Sequence, residues 1–354
     1  MALLLSLLAV AVTAVLAVGG VLTPAFRPPP PSAPLAGGCA AAPHRCGFPD
    51  ATNTGVPAGM TLKSVPAQVS RGPGWYYDSR GFVEVDGNGA VLRGLYIPHN
   101  LDISASDVII SDDRIVNSGQ SSFGVSLRHT RNVTIEDSDI CGPNGGSGRL
   151  MVGVKDVYGD SSGTSVLRNN IWHASTGVQM GEGVIEGNYL HTPGFLRGDH
   201  INGITSNGGR TLSMTIQHNT VFVNYPQNDA VSLFEDFGIQ GNRTINDNLL
   251  AGGGYTIYGG RGKQGQTFNI RITNNRISSI YFPSGGHWGP VAYYSPHGPG
   301  NVWAGNVWDA TGRPIGIPAG TGRGASPALG GAVMPGITRH IPTQGRETAP
   351  YPGS

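Results

Sequence analysis

The sequence predicts an all-β protein built as a solenoid, in which short strands stack coil upon coil. One pattern occurs eight times after residue 100: an apolar residue, a small polar residue three positions later, and a second apolar residue two positions after that. The apolar positions alternate and are often β-branched, as in strands, and no helical period runs through them. A unit repeated every 18 to 32 residues indicates a solenoid. The central polar residues are Asp113, Ser138, Asn170, Asn188, Asn219, Asn248, Asn275 and Asn306.

The central residue, Asn in six of the eight repeats, suits a corner between two strands. Asn tolerates the left-handed backbone conformation, and its side chain bonds to nearby backbone groups. In stacked coils these side chains are expected to hydrogen-bond one another in a ladder that needs no water. Over residues 80–310 the pattern resembles the right-handed parallel β-helix of the pectate-lyase-like superfamily. The resemblance implies a bacterial secreted protein of about eight to nine coils, and it says almost nothing about the substrate.

Composition divides the chain into four segments. Residues 1–26 contain a 22-residue apolar run without charge, which predicts either a cleaved export signal or a membrane anchor. Residues 27–45 are Pro-rich and are predicted to be an extended linker. Residues 46–310 are predicted to form the β-helix, and their first stretch, "CGFPDATNTGVPAGMTL", is expected to lead into and cap the first coil. Residues 311–354 are Gly/Pro-rich without the repeat, which predicts a loose tail.

Charge and cysteine content limit the location and the partners. The formal net charge is +1 and no basic block stands out, which argues against nucleic acid as a partner. Either interpretation of the N-terminal segment predicts a secreted or cell-surface protein that meets the membrane only through that segment, and we expect a monomer. Cys39 and Cys46 are close enough to form a small disulfide loop, which leaves Cys141 single.

A second recurrent element precedes each corner: Gly or Ala followed by alternating apolar residues, as in "NGITS" from Asn202 and "DAVSL" from Asp229. The residue before the Gly or Ala is expected to face solvent at the start of its strand. Asn202 and Asp229 are therefore predicted to be neighbours on coils about 4.8 Å apart. The candidate catalytic residues are Asp199, His200, Asp229, Glu235 and Asp236, and the candidate substrate-binding residues are Asn202, Asn228, Tyr258, Arg261 and Lys263.

These residue types point to polysaccharide chemistry. Carboxylates near a histidine can perform acid–base catalysis, and glycoside hydrolysis requires two carboxylates. Arg261 and Lys263 could hold an anionic sugar. The resemblance to β-helical polygalacturonase-like hydrolases is partial, because "NDAV" at Asp229 and Arg261-Gly-Lys263 match in type whereas the paired Asp and the Gly-His-Gly are missing.

Lyases of the superfamily use Arg or Lys as the base, commonly with Ca²⁺ held by acidic side chains. No calcium spacing is recognisable in this sequence, and no transition-metal site is expected. The acidic residues that could supply oxygen ligands to Ca²⁺ are Asp112, Asp113, Glu136, Asp137 and Asp139.

We expect a carbohydrate-active enzyme that cleaves a polysaccharide, an acidic one by preference, by lyase or hydrolase chemistry. An epimerase of uronates would use similar residues. The alternative of another class is a non-catalytic glycan-binding or structural protein that uses the stacked face as a platform. In that case Asp229 caps its strand and Asn202 belongs to an ordinary turn. Tyr255 is expected to face the core, and Tyr258 to face outwards and stack on a sugar.

Overall fold

The structure is a computed structural model that describes residues 38–118, 122–143, 148–209 and 212–317. This part of the chain is a parallel β-solenoid of about seven turns with almost no helix, which confirms the predicted fold class; the number of coils is close to the predicted eight to nine. The predicted signal or anchor, the linker up to residue 37 and the tail from residue 318 lie outside the described residues. No helix within the described ranges is long and apolar enough to cross a membrane.

Three sheets, named A, B and C, run along the described part of the solenoid, and each turn adds one strand to C, then A, then B. Sheet A has ten strands: Lys63–Ser64, Leu95–Ile97, Arg114–Val116, Asp139–Cys141, Asn170–Trp172, Tyr189–His191, Thr220–Val223, Leu249–Gly252, Arg276–Ser278 and Val307–Trp308. Sheet B has eleven: Arg71–Gly72, Trp75–Tyr77, Phe82–Val85, Asn100–Ile103, Phe123–Leu127, Leu150–Asp156, Ala174–Gln179, Asn202–Ser206, Asp229–Leu233, Tyr255–Gly259 and Gly289–Ala292. Sheet C has nine: Val91–Arg93, Ile109–Ser111, Thr134–Glu136, Ser165–Leu167, Gly183–Glu186, Met214–Gln217, Gly241–Asn246, Phe268–Thr273 and Val302–Ala304.

Columns of inward-facing apolar side chains fill the interior. In sheet C, Ile185 pairs in register with Ile216, and in sheet B, Ile204 pairs with Val231; all four are fully buried. Burying one such side chain stabilises the fold by about 1.5–3 kcal/mol. The columns therefore hold successive coils together.

A ladder of buried polar residues lines the corner between sheets C and A. The backbone N–H of each ladder residue donates to the side chain of the next one at 2.8–3.1 Å. The predicted ladder is thus confirmed, but the left-handed residue of each corner is the one before the ladder residue, such as His218 (φ 51°). In order, the ladder residues are Asp113, Ser138, Asn169, Asn188, Asn219, Asn248, Asn275 and Asn306.

One predicted repeat is out of register by one residue. The ladder residue of that coil is Asn169, which donates to the Ile135 carbonyl, and not Asn170, whose side chain lies outside near Asp139. The inward residue is accordingly Val166 and not Leu167. The sequence "LRNNIW" offers two adjacent Asn residues, and only the alternation of the flanking strands distinguishes them.

The segment of residues 38–62, here called the strap, lies along the outer wall of sheet A instead of only capping the first coil. It begins at the last coil, where the Cys39 N–H donates to the Asp309 carboxylate, and reaches the first coil at Lys63, which pairs with Leu95. Midway, Phe48 stacks on the ring of His218. Two short 3-10 helices, Cys39–Ala41 and Pro43–Cys46, form its start.

Two predicted boundaries change as a result. Residues 38–45, assigned to the linker, are docked, because the Cys39–Cys46 disulfide forms as predicted and packs on sheet A. The predicted tail begins too early, since Ile315 is only 6% exposed and packs into the core at the last coil. Cys141 is free and buried, as expected.

Replacing Asp113 by Asn should stabilise the protein. Asp113 is fully buried and accepts the Leu95 N–H through Oδ1, while Oδ2 has no partner among the described residues. Other ladder residues carry an amide N–H₂ at that place, which donates to a carbonyl of the preceding coil, as Asn219 does to Ile185. Burial raises the pKa of Asp113 to about 8. Between pH 4 and pH 8 the folded state therefore holds a proton that the unfolded state has lost, and stability falls as pH rises.

We expect Asp113→Asn to raise the free energy of unfolding by about 1–3 kcal/mol at pH 8, with a smaller gain at pH 5, in urea titrations. The matched reverse change, Asn219→Asp, should destabilise the protein, and more at pH 8 than at pH 5. Equal stability of wild type and Asp113→Asn at both pH values would show that this position of the ladder does not require a hydrogen-bond donor.

The docking of the strap should weaken as pH rises. His218 Nδ1 lies 2.9 Å from Asp247, and Nε2 lies 3.0 Å from the Gly47 carbonyl. Both partners are acceptors, so the imidazolium satisfies both. Bonding to Asp247 raises the pKa of His218, and the charge of Glu186 adds to this. The contribution is complete below pH 6.5 and disappears as pH passes the raised pKa.

The difference in unfolding free energy between wild type and His218→Gln should therefore shrink from pH 5.5 to pH 8.5 in paired urea titrations. A difference that stays constant across that range would exclude a charged His218 as part of the contact.

Candidate functional site

A bend near the start of each sheet B strand directs polar side chains outwards. A Cβ at Gly203 would collide with the Val221 side chain in the core, and one at Gly177 with Leu190, so these positions face inwards. The residue that precedes each of them faces outwards. Asn202 and Asp229 are direct register partners in this outward row, as predicted, but both are buried and do not face solvent as expected.

Asp229 is the most unusual group in this row. Its side chain is fully buried, and neither carboxyl oxygen has a hydrogen-bond partner within the described residues. Burial raises the pKa of Asp229 well above its ordinary value, and the nearby Ser232 hydroxyl opposes this rise only in part, because it donates its proton to Thr205 Oγ1 at 2.8 Å. Burial of an isolated carboxylate is very costly, so the site favours the protonated, neutral form of Asp229.

A chain of hydrogen bonds connects the residues around Asp229. His200 Nδ1 lies 3.3 Å from Asn228 Oδ1, Asn228 Nδ2 donates to Asn202 Oδ1 at 3.0 Å, and Asn202 Nδ2 donates to Thr176 Oγ1 at 3.2 Å. His200 is exposed at the outer end of this chain. We call His200, Asn202, Asn228 and Asp229 the strand-start cluster.

Asp199 does not belong to that cluster. Its carboxylate accepts two bonds from Arg149, at 2.7 and 2.8 Å, one from the Ser175 hydroxyl at 2.6 Å and one from the Leu196 N–H at 2.7 Å. These bonds hold the pKa of Asp199 below its ordinary value despite the opposing effect of burial. Ser175 lies two coils before Asp229, so the Asp199 carboxylate is turned about 10 Å away along the axis. Asp199 fixes the loop and is poorly suited to proton transfer.

Glu235 and Asp236 lie beyond the other end of the same strand, across about 13 Å of extended backbone. Glu235 Oε2 accepts the Gln264 N–H at 2.8 Å, which ties it to the loop that carries Arg261 and Lys263. Asp236 and Lys263 are exposed. Eight of the ten predicted residues therefore form two groups at opposite ends of the sheet B strands, and Asp199 lies apart from both; they do not form one cluster.

Tyr258 lies between the two groups and faces outwards as predicted, next to Ser232 in register. Its ring stacks on Tyr293, with centroids 5.7 Å apart, and meets Tyr255 edge-on at 5.6 Å. Burial raises the pKa of Tyr258. Tyr255 was expected in the core, but it occupies the outward position after Asp229, because Gly253 and Gly254 form the preceding turn.

Sequence reasoning missed a second outward row on sheet B. Register places one residue of each strand in line, with the hydroxyls of Thr205 and Ser232 nearly inaccessible between larger side chains. This row is called the furrow, and its residues are Ser126, Lys155, Gln179, Thr205, Ser232 and Tyr258. The "VGVKD" stretch around Lys155 shows the Gly-then-alternating pattern and could have revealed it.

Large exposed aromatic side chains occur in the loops that precede and follow the strands of sheet B. Before the strands, Phe195 is 42% exposed beside Tyr225, and Trp288 is 64% exposed. After the strands, Tyr158 and Phe237 are 57% and 73% exposed. Such rings provide flat apolar faces on which a sugar can stack. A cavity beside Asn202 has a volume of only ≈ 20 Å³, which takes about one water and cannot hold a sugar.

The acidic residues considered for Ca²⁺ serve other purposes. Asp113 is part of the ladder, and the other four carboxylates form ion pairs on the solenoid surface. The pairs are Arg93 with Asp112, Arg114 with Asp139, and Arg168 with both Glu136 and Asp137. In the described part of the chain, no three His, Cys, Asp or Glu side chains converge as metal ligands.

Removing the Asp199 carboxylate should act on stability. Asp199→Ala leaves Arg149, whose side chain is only 5% exposed, without its bidentate partner. We expect a loss of about 1–3 kcal/mol in urea unfolding, less than for a completely buried pair. Asp86→Ala, which removes an exposed carboxylate, should change stability by less than about 0.5 kcal/mol. Equal effects of the two changes would show that the Arg149 pair does not hold the loop.

Comparison with known proteins leaves the chain without an assigned family. No protein-family model matches the sequence, no curated protein is detectably similar to it, and no solved structure matches it. The parallel solenoid alone is compatible with proteins that act on polysaccharides and with proteins that only bind them.

Proposed function

We propose that this protein is a right-handed β-helix of the pectate-lyase-like superfamily and cleaves a uronate-containing polysaccharide by β-elimination. The proposal depends on one observation above all: Asp229 is buried without a hydrogen-bond partner among the described residues, and it follows Asn228, which bonds to the exposed His200. In a β-elimination a base removes the proton next to the uronate carboxylate, the bond from carbon to the leaving glycosidic oxygen breaks, and that oxygen takes up a proton. A carbon–carbon double bond remains in the product.

A neutral Asp229 suits this reaction. The reaction is easier when hydrogen-bond donors stabilise the negative charge that develops on the uronate carboxylate. The amides of Asn202 and Asn228 each have an N–H beyond the bond described, and a protonated Asp229 buried beside them adds no negative charge to the site. An ionised Asp229 would instead repel the uronate.

His200 is placed to act as the base. When Nδ1 carries the proton, it donates to Asn228 Oδ1, and the lone pair of Nε2 is available to accept the substrate proton. His200 is exposed, so a sugar can reach it without displacing the fold.

Hydrolysis fits the geometry less well. It needs two carboxyl groups within about 10 Å of each other on either side of the bond. Asp199 is held by Arg149, and Glu235 lies at the other end of the strand. The same facts favour a second candidate, a non-catalytic glycan-binding platform that uses the exposed aromatic rings. The Cys39–Cys46 disulfide supports an extracytoplasmic location for either function.

One variant of Asp229 and one of His200 separate these alternatives. Asp229→Asn keeps a neutral donor, so a lyase should retain turnover within about tenfold, whereas a hydrolase that transfers the acid proton should lose about 10²–10⁴-fold. His200→Gln should abolish elimination. Turnover is measured on a polysaccharide panel by ultraviolet absorbance of the new double bond together with reducing-end release, with and without chelator. Asp86→Asn is the matched control and should behave as wild type.

Release of reducing ends without ultraviolet absorbance would show that the protein hydrolyses the polysaccharide and does not eliminate. Binding of a polysaccharide without any cleavage by the wild type would establish the platform instead. Unchanged turnover in His200→Gln would remove the assigned base.

A further inference from the structure

Lys155 occupies an unusual place in the furrow of sheet B. It faces outwards, is half-buried, and its ammonium group donates to Gln179 Oε1 at 2.5 Å. No ion pair of Lys155 with a carboxylate occurs among the described residues. Burial lowers the pKa of Lys155, although the charge of Asp156 opposes this. The cation is thus partly desolvated without a full counter-charge.

The carboxylates nearest along the sheet are committed elsewhere. Asp102, two rungs before Lys155 in the same row, accepts both Nε bonds from Arg128 at 2.6 and 2.9 Å. Asp156 is buried and accepts the Gly159 N–H, and its pKa is raised by burial. On the other side the row continues through Gln179, Thr205 and Ser232, which are all uncharged. Lys155 therefore leaves one net positive charge in a furrow lined by neutral hydrogen-bonding groups.

We propose that Lys155, with Gln179, forms a binding subsite for a carboxylate or sulfate group of an anionic polysaccharide that lies along the furrow. The bound anion would supply the negative charge that Lys155 lacks. Because Lys155 is partly desolvated, the attraction between its ammonium group and the anion is stronger than in water. The subsite rests on the proposed function in one respect: both require that a polysaccharide binds to the outer face of sheet B.

The spacing agrees with a chain that runs parallel to the solenoid axis. Lys155 and the strand of Asp229 are three rungs apart, about 14 Å. A few linked sugars span that distance, so one uronate can contact Lys155 while another reaches His200. Tyr158, which follows the Lys155 strand, is 57% exposed at the same level, with its ring stacked on His129.

Binding by the full chain tests the subsite directly, with polygalacturonate, dextran sulfate and uncharged dextran as probes. Lys155→Met should weaken binding of at least one polyanion about tenfold, the loss of one charge-assisted contact. Lys155→Arg should keep most of the affinity, and uncharged dextran should bind all variants alike. Lys63→Met removes an exposed lysine from sheet A and should leave every affinity unchanged. Lys155→Gln is a second neutral variant, and a thermal melt of each variant shows whether a loss of binding comes from misfolding.

Wild-type affinity for both polyanions in the two neutral variants of Lys155 would overturn the subsite. Loss of affinity for polygalacturonate alone would assign a carboxylate, and loss for dextran sulfate alone would assign a sulfate. If affinity falls in Lys155→Met but the wild type cleaves nothing, the subsite stands and the lyase proposal fails. If the wild type cleaves polygalacturonate and Lys155→Met binds and cleaves it equally well, the lyase proposal stands and the subsite fails.

Discussion

Every feature of this molecule depends on the in-register stacking of its rungs, and the buried side-chain ladder between sheets C and A sets that register. The side-chain oxygen of each interior amide of the ladder, such as Asn219, accepts a backbone N–H. Its NH₂ group donates both to the next amide and to a carbonyl of the preceding coil. A slip of one residue would leave these groups unpaired in an apolar core, which costs about 1–3 kcal/mol for each group. The hydrophobic columns would accept any apolar residue of similar size, so the ladder contributes specificity that the columns lack.

Stacking converts distance along the chain into a fixed contact in space. Asn202 and Asp229 are partners in strand register although 27 positions separate them, and Arg149 forms an ion pair with Asp199, which is 50 positions away. The strap couples the two ends of the described solenoid in the same way, because its start is fixed to Asp309 and its end pairs with Leu95. A wall held at both ends and along its length is a rigid support for side chains that must meet an extended ligand.

The sequence was sufficient for the features that repeat and insufficient for those that occur once. The solenoid, the pairing of Asn202 with Asp229 and the disulfide follow from local patterns. The structural role of Asp199 does not, because its partner Arg149 precedes another coil and has no motif around it. The displaced positions of Asn170 and Tyr255 have a common cause: two adjacent residues of the same type, Asn-Asn or Gly-Gly, fit the pattern in more than one register. Face alternation resolves such pairs only when the neighbouring coils are known.

On the outer face of sheet B, the cation Lys155 and the acidic side chains lie at different positions and do not pair with each other. Along the rungs around Lys155 the acidic groups are held by arginine, as Asp102 and Asp199 are, or have a raised pKa, as Asp229 has, while Lys155 has no ion pair with a carboxylate among the described residues. An anionic chain on these rungs meets attraction at Lys155 and reduced repulsion from the carboxyl groups beside it. A neutral or cationic ligand would gain nothing from this arrangement and would have to displace Lys155 from its only hydrogen-bond acceptor among the described residues, Gln179. The distribution of protons and charges therefore favours a polyanion, whether the protein cleaves it or only holds it.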